Sequence, residues 1–265
     1  MAREFITALI PRNKPDDTLK LLDDIIERNT LLGVDSPIAN DFDFVALAAM
    51  SDSIRTLRTL AGKAESVSQT KNRESLLLLG IAPGQNLQST GTLKVIITKI
   101  KAILRAKYDV APERLSVWGF NVVVSEKRGR RNVRVTLPVN SPEQLLKLAE
   151  DIAKRNTVEG VSSPLNGKVD MVDFASKTAA AKAAYDLANS NRRIKEAKNY
   201  EALGIMGYAH GQSRSIPGTA YNILSLIRNM LLTVYDQNPK ELEYWGFHVV
   251  IKTGMPGRKK KKIAD

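Results

Sequence analysis

The chain repeats itself once. Residues 5–124 align with residues 132–251 without a gap, at a constant offset of 127, and roughly 40 of about 120 pairs are identical. Matched positions include Pro11 and Pro138, Pro15 and Pro142, Arg28-Asn29-Thr30 and Arg155-Asn156-Thr157, Gly84-Gln85 and Gly211-Gln212, and the triplets Trp118-Gly119-Phe120 and Trp245-Gly246-Phe247. A period this long is the size of a domain, not of a solenoid repeat, so it reads as a tandem duplication. Whatever one copy can fold into, the other must also fold into.

Each copy opens with a short strand, Phe5–Ile10 or Val133–Leu137, the second alternating apolar and polar residues. A proline follows and stops strand pairing. The first helix starts at Pro15 in one copy. In the other, Ser141-Pro142-Glu143-Gln144 supplies an N-cap, a proline at the first helical position and a glutamine at the third. Leu19, Leu22, Ile25 and Ile26 form its apolar stripe, and Gly33 lies beyond its end. A long proline-free stretch follows, Asp43 to about Leu79 and Asp170 to about Met206. Gly62 and Asn189 match within it, and both residue types favour a helix-ending left-handed conformation, so a break there into a second and third helix is expected, the alternative being one helix of nearly 40 residues. A fourth helix carries Leu93, Ile96, Ile97, Ile100, Ile103 and Leu104 on one face. The Trp-Gly-Phe strand closes the copy.

The expected fold is therefore mostly α with a small β element, built as a tandem duplication of a strand–four-helix–strand unit. Short connections favour up-and-down helical bundles, related by a pseudo-twofold and joined by a β-hairpin over Val122–Leu137. The expected divisions are a first unit over 1–126, a basic hairpin turn over 127–131, a second unit over 132–253 and a basic, disordered tail over 254–265. Within the hairpin, Val122 and Val124 should share a core-facing side with Val133, Val135 and Leu137.

Composition narrows the function. The 265 residues are 43% hydrophobic and 26% charged, a globular balance. No apolar run reaches the roughly 18 residues of a membrane helix, so no membrane partner is expected. The N-terminus does not read as a signal peptide, and a cytoplasmic location is the default. Cysteine is absent, which removes disulfides, thiolate metal sites and a cysteine nucleophile. The net charge is +12, and nine cations lie in two short segments: Lys127, Arg128, Arg130 and Arg131, then Arg258, Lys259, Lys260, Lys261 and Lys262. Taking those nine from +12 leaves +3, an ordinary value.

Five constellations could carry chemistry. The loops before the fourth helix hold Gln85, Thr90, Gly91 and Thr92, matched by Gln212, Gly218 and Thr219. Glycines and hydroxyls opening a helix can present N–H groups to an anion, or simply cap the helix. The two histidines, His210 and His248, are isolated and lack a metal-ligand spacing, so no metal and no cofactor are expected. Asp23, Asp24 and Glu27, matched by Glu150, Asp151 and Lys154, read as a solvated helix face rather than a general acid–base pair. Trp118 and Trp245 read as core anchors. The nine clustered cations suit a phosphate backbone or an acidic surface. Together these point to a non-enzymatic binding or scaffold protein that uses its basic hairpin and tail on an anionic partner. The alternatives are a nucleic-acid-binding protein, without a recognised binding motif, and an enzyme with a site between helices.

Overall fold

The structure, a computed structural model, describes residues 4–11, 14–85, 90–127, 130–137 and 141–253. In chain order the elements are β1 (Glu4–Leu9), α1 (Pro15–Leu32), a 3-10 turn (Gly33–Asp35), α2 (Phe44–Leu79), α3 (Leu93–Lys107), a 3-10 segment (Pro112–Trp118), β2 (Asn121–Lys127), β3 (Arg130–Thr136), α4 (Pro142–Glu159), a 3-10 turn (Gly160–Ser162), α5 (Met171–Met206), α6 (Ala220–Val234), a 3-10 segment (Pro239–Trp245) and β4 (His248–Thr253). The protein is mostly helical with a small antiparallel β component. The α-helices of the two copies begin and end 127 residues apart. Among the described residues no helix is long and apolar enough to cross a membrane.

Local chemistry sets the helix ends. Pro15 and Pro142 occupy the first turns of α1 and α4, and Ser141 Oγ accepts from the Gln144 amide. Both helices stop at glycines with positive φ, Gly33 at 54° and Gly160 at 52°. The expected break inside the long stretch does not occur. α2 and α5 are each single helices of 36 residues, running through Gly62 and Asn189. A mid-helix glycine weakens a helix by only about 1 kcal/mol relative to alanine. Ala61 and Ala64, on either side of Gly62, are buried, and their packing outweighs that loss. Among the described residues each copy thus has three α-helices and two 3-10 segments between its strands, not the four helices of an up-and-down bundle.

The strands form two separate two-stranded antiparallel sheets. In β2–β3, Val122 faces Val135, Val124 faces Val133, and Lys127 faces Arg130. The ladder therefore extends through Lys127, Arg130 and Arg131, which the sequence places in the turn. Val135 is buried, and Val122, Val133 and Leu137 pack half-buried against the core, as the shared face requires. Val124 is 44% exposed, so the apolar face loses its cover toward the tip. The second sheet pairs the chain's first and last strands, with Leu9 opposite His248 and Ile6 opposite Ile251.

This pairing decides the division of the molecule. The compact units are Lys63–Ile194 (unit 2) and Met1–Gly62 together with Lys195–Asp265 (unit 1). They cut the chain elsewhere than the repeat boundaries at 126 and 132, because each ladder takes one strand from each copy. Unit 1 packs Leu21, Leu22 and Ile25 of α1 against Leu224, Ile227 and Leu231 of α6, with Trp245 and Phe247. A second cluster joins Leu19, Ile54 and Leu57 to Ala202 and Met206. Unit 2 packs Leu145, Leu148 and Ile152 of α4 against Ile97, Ile100 and Leu104 of α3, with Trp118 and Phe120. Within unit 2, small residues allow α2 and α5 to approach, and Ser68 and Ser75 Oγ donate to the Ala188 and Ala181 carbonyls at 2.8 and 3.0 Å. Burial at about 25 cal/mol per Å² of apolar surface makes these clusters the main source of each unit's stability.

Candidate functional site

The basic hairpin is described up to its last rungs. Glu126 stands opposite Arg131 and Lys127 opposite Arg130, so three of the four hairpin cations occupy neighbouring ladder positions. Arg134 is exposed on the same strand, paired with Val123. Arg128, Arg258, Lys259, Lys260, Lys261 and Lys262 lie outside the described residues. In sequence, the tail follows β4 as the hairpin tip follows β2, so both cation runs come after the same strand of the repeat.

The two glycine-containing loops have closely similar backbones. α2 ends at Gly80 and α5 at Gly207, with φ of 80° and 84°. The Ile81 amide donates back to the Leu76 carbonyl at 3.0 Å, and the Tyr208 amide to that of Leu203 at 2.8 Å, so both helices end in a Schellman turn. Gln85 completes the first end: its Nε2 donates to the Leu77 carbonyl at 3.1 Å and its Oε1 accepts from the Ala82 amide at 3.3 Å. Gln212 Nε2 donates to the Gly204 carbonyl at 3.1 Å, while its buried Oε1 has no partner. Thr219 caps α6, its Oγ1 accepting from the Asn222 amide at 3.3 Å and donating to the Ile216 carbonyl at 2.9 Å. Thr92 is buried at the start of α3, directly beneath Gly80, whereas Thr90, Gly91 and Gly218 are exposed. The amide ends of these loops therefore serve largely as caps.

The acidic face of the first helix is more engaged than a solvated surface. Asp23 accepts from Ser51 Oγ at 2.6 Å and pairs with Arg55; Glu150 pairs with Lys182. That contact raises the Lys182 ammonium above its ordinary value, chiefly through the hydrogen bond to Glu150. Asp24 and Asp151 lie against the Trp-Gly-Phe glycines. A Cβ on Gly246 would meet Asp24 Oδ2 at 2.8 Å, and one on Gly119 would meet Asp151 Cβ at 2.9 Å. Burial raises the Asp24 carboxyl above the ordinary carboxylate range. Trp118 and Trp245 are each 1% exposed, core anchors as their sequence setting implies. His210 and His248 are exposed.

One cluster escaped the sequence reading, and it lies in unit 1. Thr18, fully buried on α1, meets Tyr208 at 2.6 Å between hydroxyls, and Tyr208 Oη donates to the Pro11 carbonyl at 2.6 Å. Since the phenol has one proton and gives it to Pro11, Thr18 donates to Tyr208. Burial raises the Tyr208 pKa, so the phenol is neutral and its donated proton is retained. Tyr221 meets the Tyr208 ring edge-on at 5.8 Å. The Arg214 guanidinium stands 5.4 Å from the Tyr208 ring centre and 5.5 Å from that of Tyr221. Nearby, Arg58 pairs with Asp16 and contacts Met206 Sδ at 3.7 Å. The available signal was the difference between copies: Thr18, Tyr208, Arg214 and Tyr221 match Leu145, Ile81, Leu87 and Lys94.

No protein family, no characterised protein and no solved structure matches the chain.

Proposed function

We propose that the chain is a non-enzymatic binding or scaffold protein whose basic hairpin and tail engage an anionic partner, nucleic acid or an acidic protein surface. The observation that carries this reading is the ladder itself, with Lys127 and Arg130 as a cross-strand pair and Arg131 on the next rung. Cations at neighbouring ladder positions concentrate positive charge along one short stretch of strand, which suits an anionic partner. The placement of both cation runs after the same strand of the repeat supports a joint role.

The test is replacement of Lys127, Arg128, Arg130 and Arg131 by serine. The expected outcome is an unchanged melting temperature and weaker binding to heparin, DNA or RNA, with wild-type binding falling steeply as salt rises. Preference for one nucleic acid over heparin at matched salt would favour the nucleic-acid reading. Unchanged affinity for all three polyanions would reject the hairpin as the binding element.

We further infer that the two copies arose by tandem duplication, with the pseudo-twofold relation that a fused homodimer implies. The common helix boundaries and the equivalent ladder positions support this. An experimental structure whose units 1 and 2 failed to superpose would refute it.

A further inference from the structure

The hairpin of unit 2 is a two-stranded sheet, so each of its strands has one unpaired edge. In an antiparallel pair, alternate residues turn their N–H and C=O groups toward the partner strand and away from it. Two residues separate Lys127 from Arg130, and a pair that closes so short a loop bonds across the ladder. The backbone groups of Arg130, Asn132, Arg134 and Thr136 therefore turn inward, to β2, and those of Arg131, Val133 and Val135 turn outward. One side chain agrees with this parity: Lys101 Nζ donates to the Val135 carbonyl at 3.4 Å. Closer to the tip, the outward amide and carbonyl of Val133 have no backbone partner among the described residues.

Three features narrow what such an edge would take. The first is charge. β3 carries Arg130, Arg131 and Arg134, with Lys101 at its base, whereas β2 carries Glu126 beside Lys127. Cations along an edge repel a second copy of the same edge and attract an acidic strand. The second is cover. A two-stranded ladder is marginal by itself, and a third strand stabilises it. Val135 is buried, Val133 half-buried, and Val124, opposite Val133, is exposed. An added strand with an apolar residue at every second position would continue this valine face where the core ends.

The third is the equivalent strand of unit 1. There β1 has Glu4 and Thr7 where β3 has Arg131 and Arg134. Arg228, the match of Lys101, bonds instead to the side chains of Ser225 and Asn229 on its own helix. The shared frame thus pairs its strands without these cations, and the fold does not require them on β3.

We propose that the outer edge of β3 receives an extended acidic segment of a partner protein, which adds a third strand to the hairpin. The outward main-chain groups of Arg131 and Val133 pair with the segment, the cations of β3 attract its carboxylates, and its apolar residues extend the valine face. This rests on the hairpin as the anion-binding element, and it selects an acidic protein over nucleic acid.

The experiment is fluorescence anisotropy of the full chain, at low salt, with two labelled peptides of about eight residues that alternate glutamate and valine. One is unmodified. The other is N-methylated at every residue, so it keeps the charges and side chains but has no main-chain donor. The unmodified peptide is expected to bind, and the methylated one to bind roughly tenfold more weakly. Val133→Pro removes the outward donor of the edge, keeps every cation and leaves the ladder bonds in place. It should bind the unmodified peptide roughly tenfold more weakly than the wild type does, with unchanged affinity for heparin. Should Val133→Pro fail to fold, the two peptides on the wild type decide alone. Equal affinity for both peptides means that charge alone is recognised, which overturns strand addition and leaves the hairpin reading standing. Binding of DNA or RNA that depends on the four hairpin cations, with no binding of either peptide, overturns the proposal in favour of nucleic acid. Polyanion affinity that survives the serine replacement of those cations defeats the hairpin reading, and this proposal with it.

Discussion

The ends of α2 and α5 carry the same turn and different chemistry. At the first, Gly80 closes the helix, Gln85 caps it, and Ile81 turns onto an apolar core that includes fully buried Leu145. At the second, Gly207 and Gln212 do the same work, but Tyr208 turns onto Thr18 and the Pro11 carbonyl, under Arg214 and Tyr221. The backbone hydrogen bonds that shape the turn do not depend on the side chain that follows the glycine. A few substitutions on an unchanged frame can therefore exchange a packing contact for a polar cluster. The difference between the units also separates what stabilises the loop from what could act there.

The largest expected effect tests the shared frame. A Cβ at Gly80 would sit 2.5 Å from Thr92 Oγ1, whereas at Gly207 the equivalent threonine is 3.0 Å away. Both positions also have positive φ, which strains any L side chain. Gly80→Ala should destabilise by about 4 kcal/mol and Gly207→Ala by about 2 kcal/mol, read from denaturant unfolding. The reverse order would mean that Thr92 moves aside more easily than Thr219, and the two ends would not be equivalent frames.

Next comes the side chain that distinguishes them. Tyr208→Phe removes the donor to Pro11 and the acceptor of Thr18, leaving a carbonyl and a buried hydroxyl poorer by one bond each. A loss of about 2 kcal/mol is expected. Ile81→Val, its counterpart, should lose about 1 kcal/mol. A smaller loss for the tyrosine change than for the isoleucine change would show that the hydroxyl network contributes little to unit 1.

The smallest effect concerns the acid against the Trp-Gly-Phe turn. The folded-state pKa of Asp24 is raised, chiefly by burial, so the fold prefers the protonated carboxyl. For such a group stability falls as pH rises from the unfolded value toward the folded one, and the loss persists at neutral pH. Asp24→Asn should thus raise the melting temperature slightly at pH 7. The gain should shrink as the pH is lowered through the carboxylate range, and vanish below about 4. A drop in melting temperature at pH 7 would mean that the charge is used in the fold.

Much of the secondary structure was legible because it rests on local signals. Proline at the first turn, glycine beyond the end and an apolar stripe located α1, α3, α4 and α6, and alternation found the hairpin strands. Gly62 misled because local propensity is weak beside the packing of Ala61, Ala64 and their neighbours. The union of β1 with β4 was not legible, since nothing in a short apolar strand names its partner. For the same reason the unit boundaries at Gly62 and Ile194 were invisible. Of the candidate residues, Gln85, Gln212 and Thr219 were found as loop residues, but their capping bonds depend on geometry. Tyr208 and Arg214 belong to no motif that the copies share, and their polar contacts arise where the copies differ.

The interrupted path of unit 1 has a consequence for how the chain is made. Unit 2 is continuous, Lys63–Ile194, and its ladder closes across a single short turn. A ribosome has delivered all of it before α6 or β4 exists. Unit 1 must wait, because β1 finds its partner only when His248–Thr253 has emerged. Until then Leu21, Leu22 and Ile25 of α1 lack the α6 side chains that cover them. Ordering so distant a contact comes late in folding, after the nearer ones have formed. The residues of α1 are therefore secured after unit 2 although they are made before it, and until α6 emerges the nascent chain carries an uncovered apolar helix. Protease added to ribosome-bound chains halted just after Ile194 should spare unit 2 and cut ahead of Gly62; protection of α1 at that length would contradict this order.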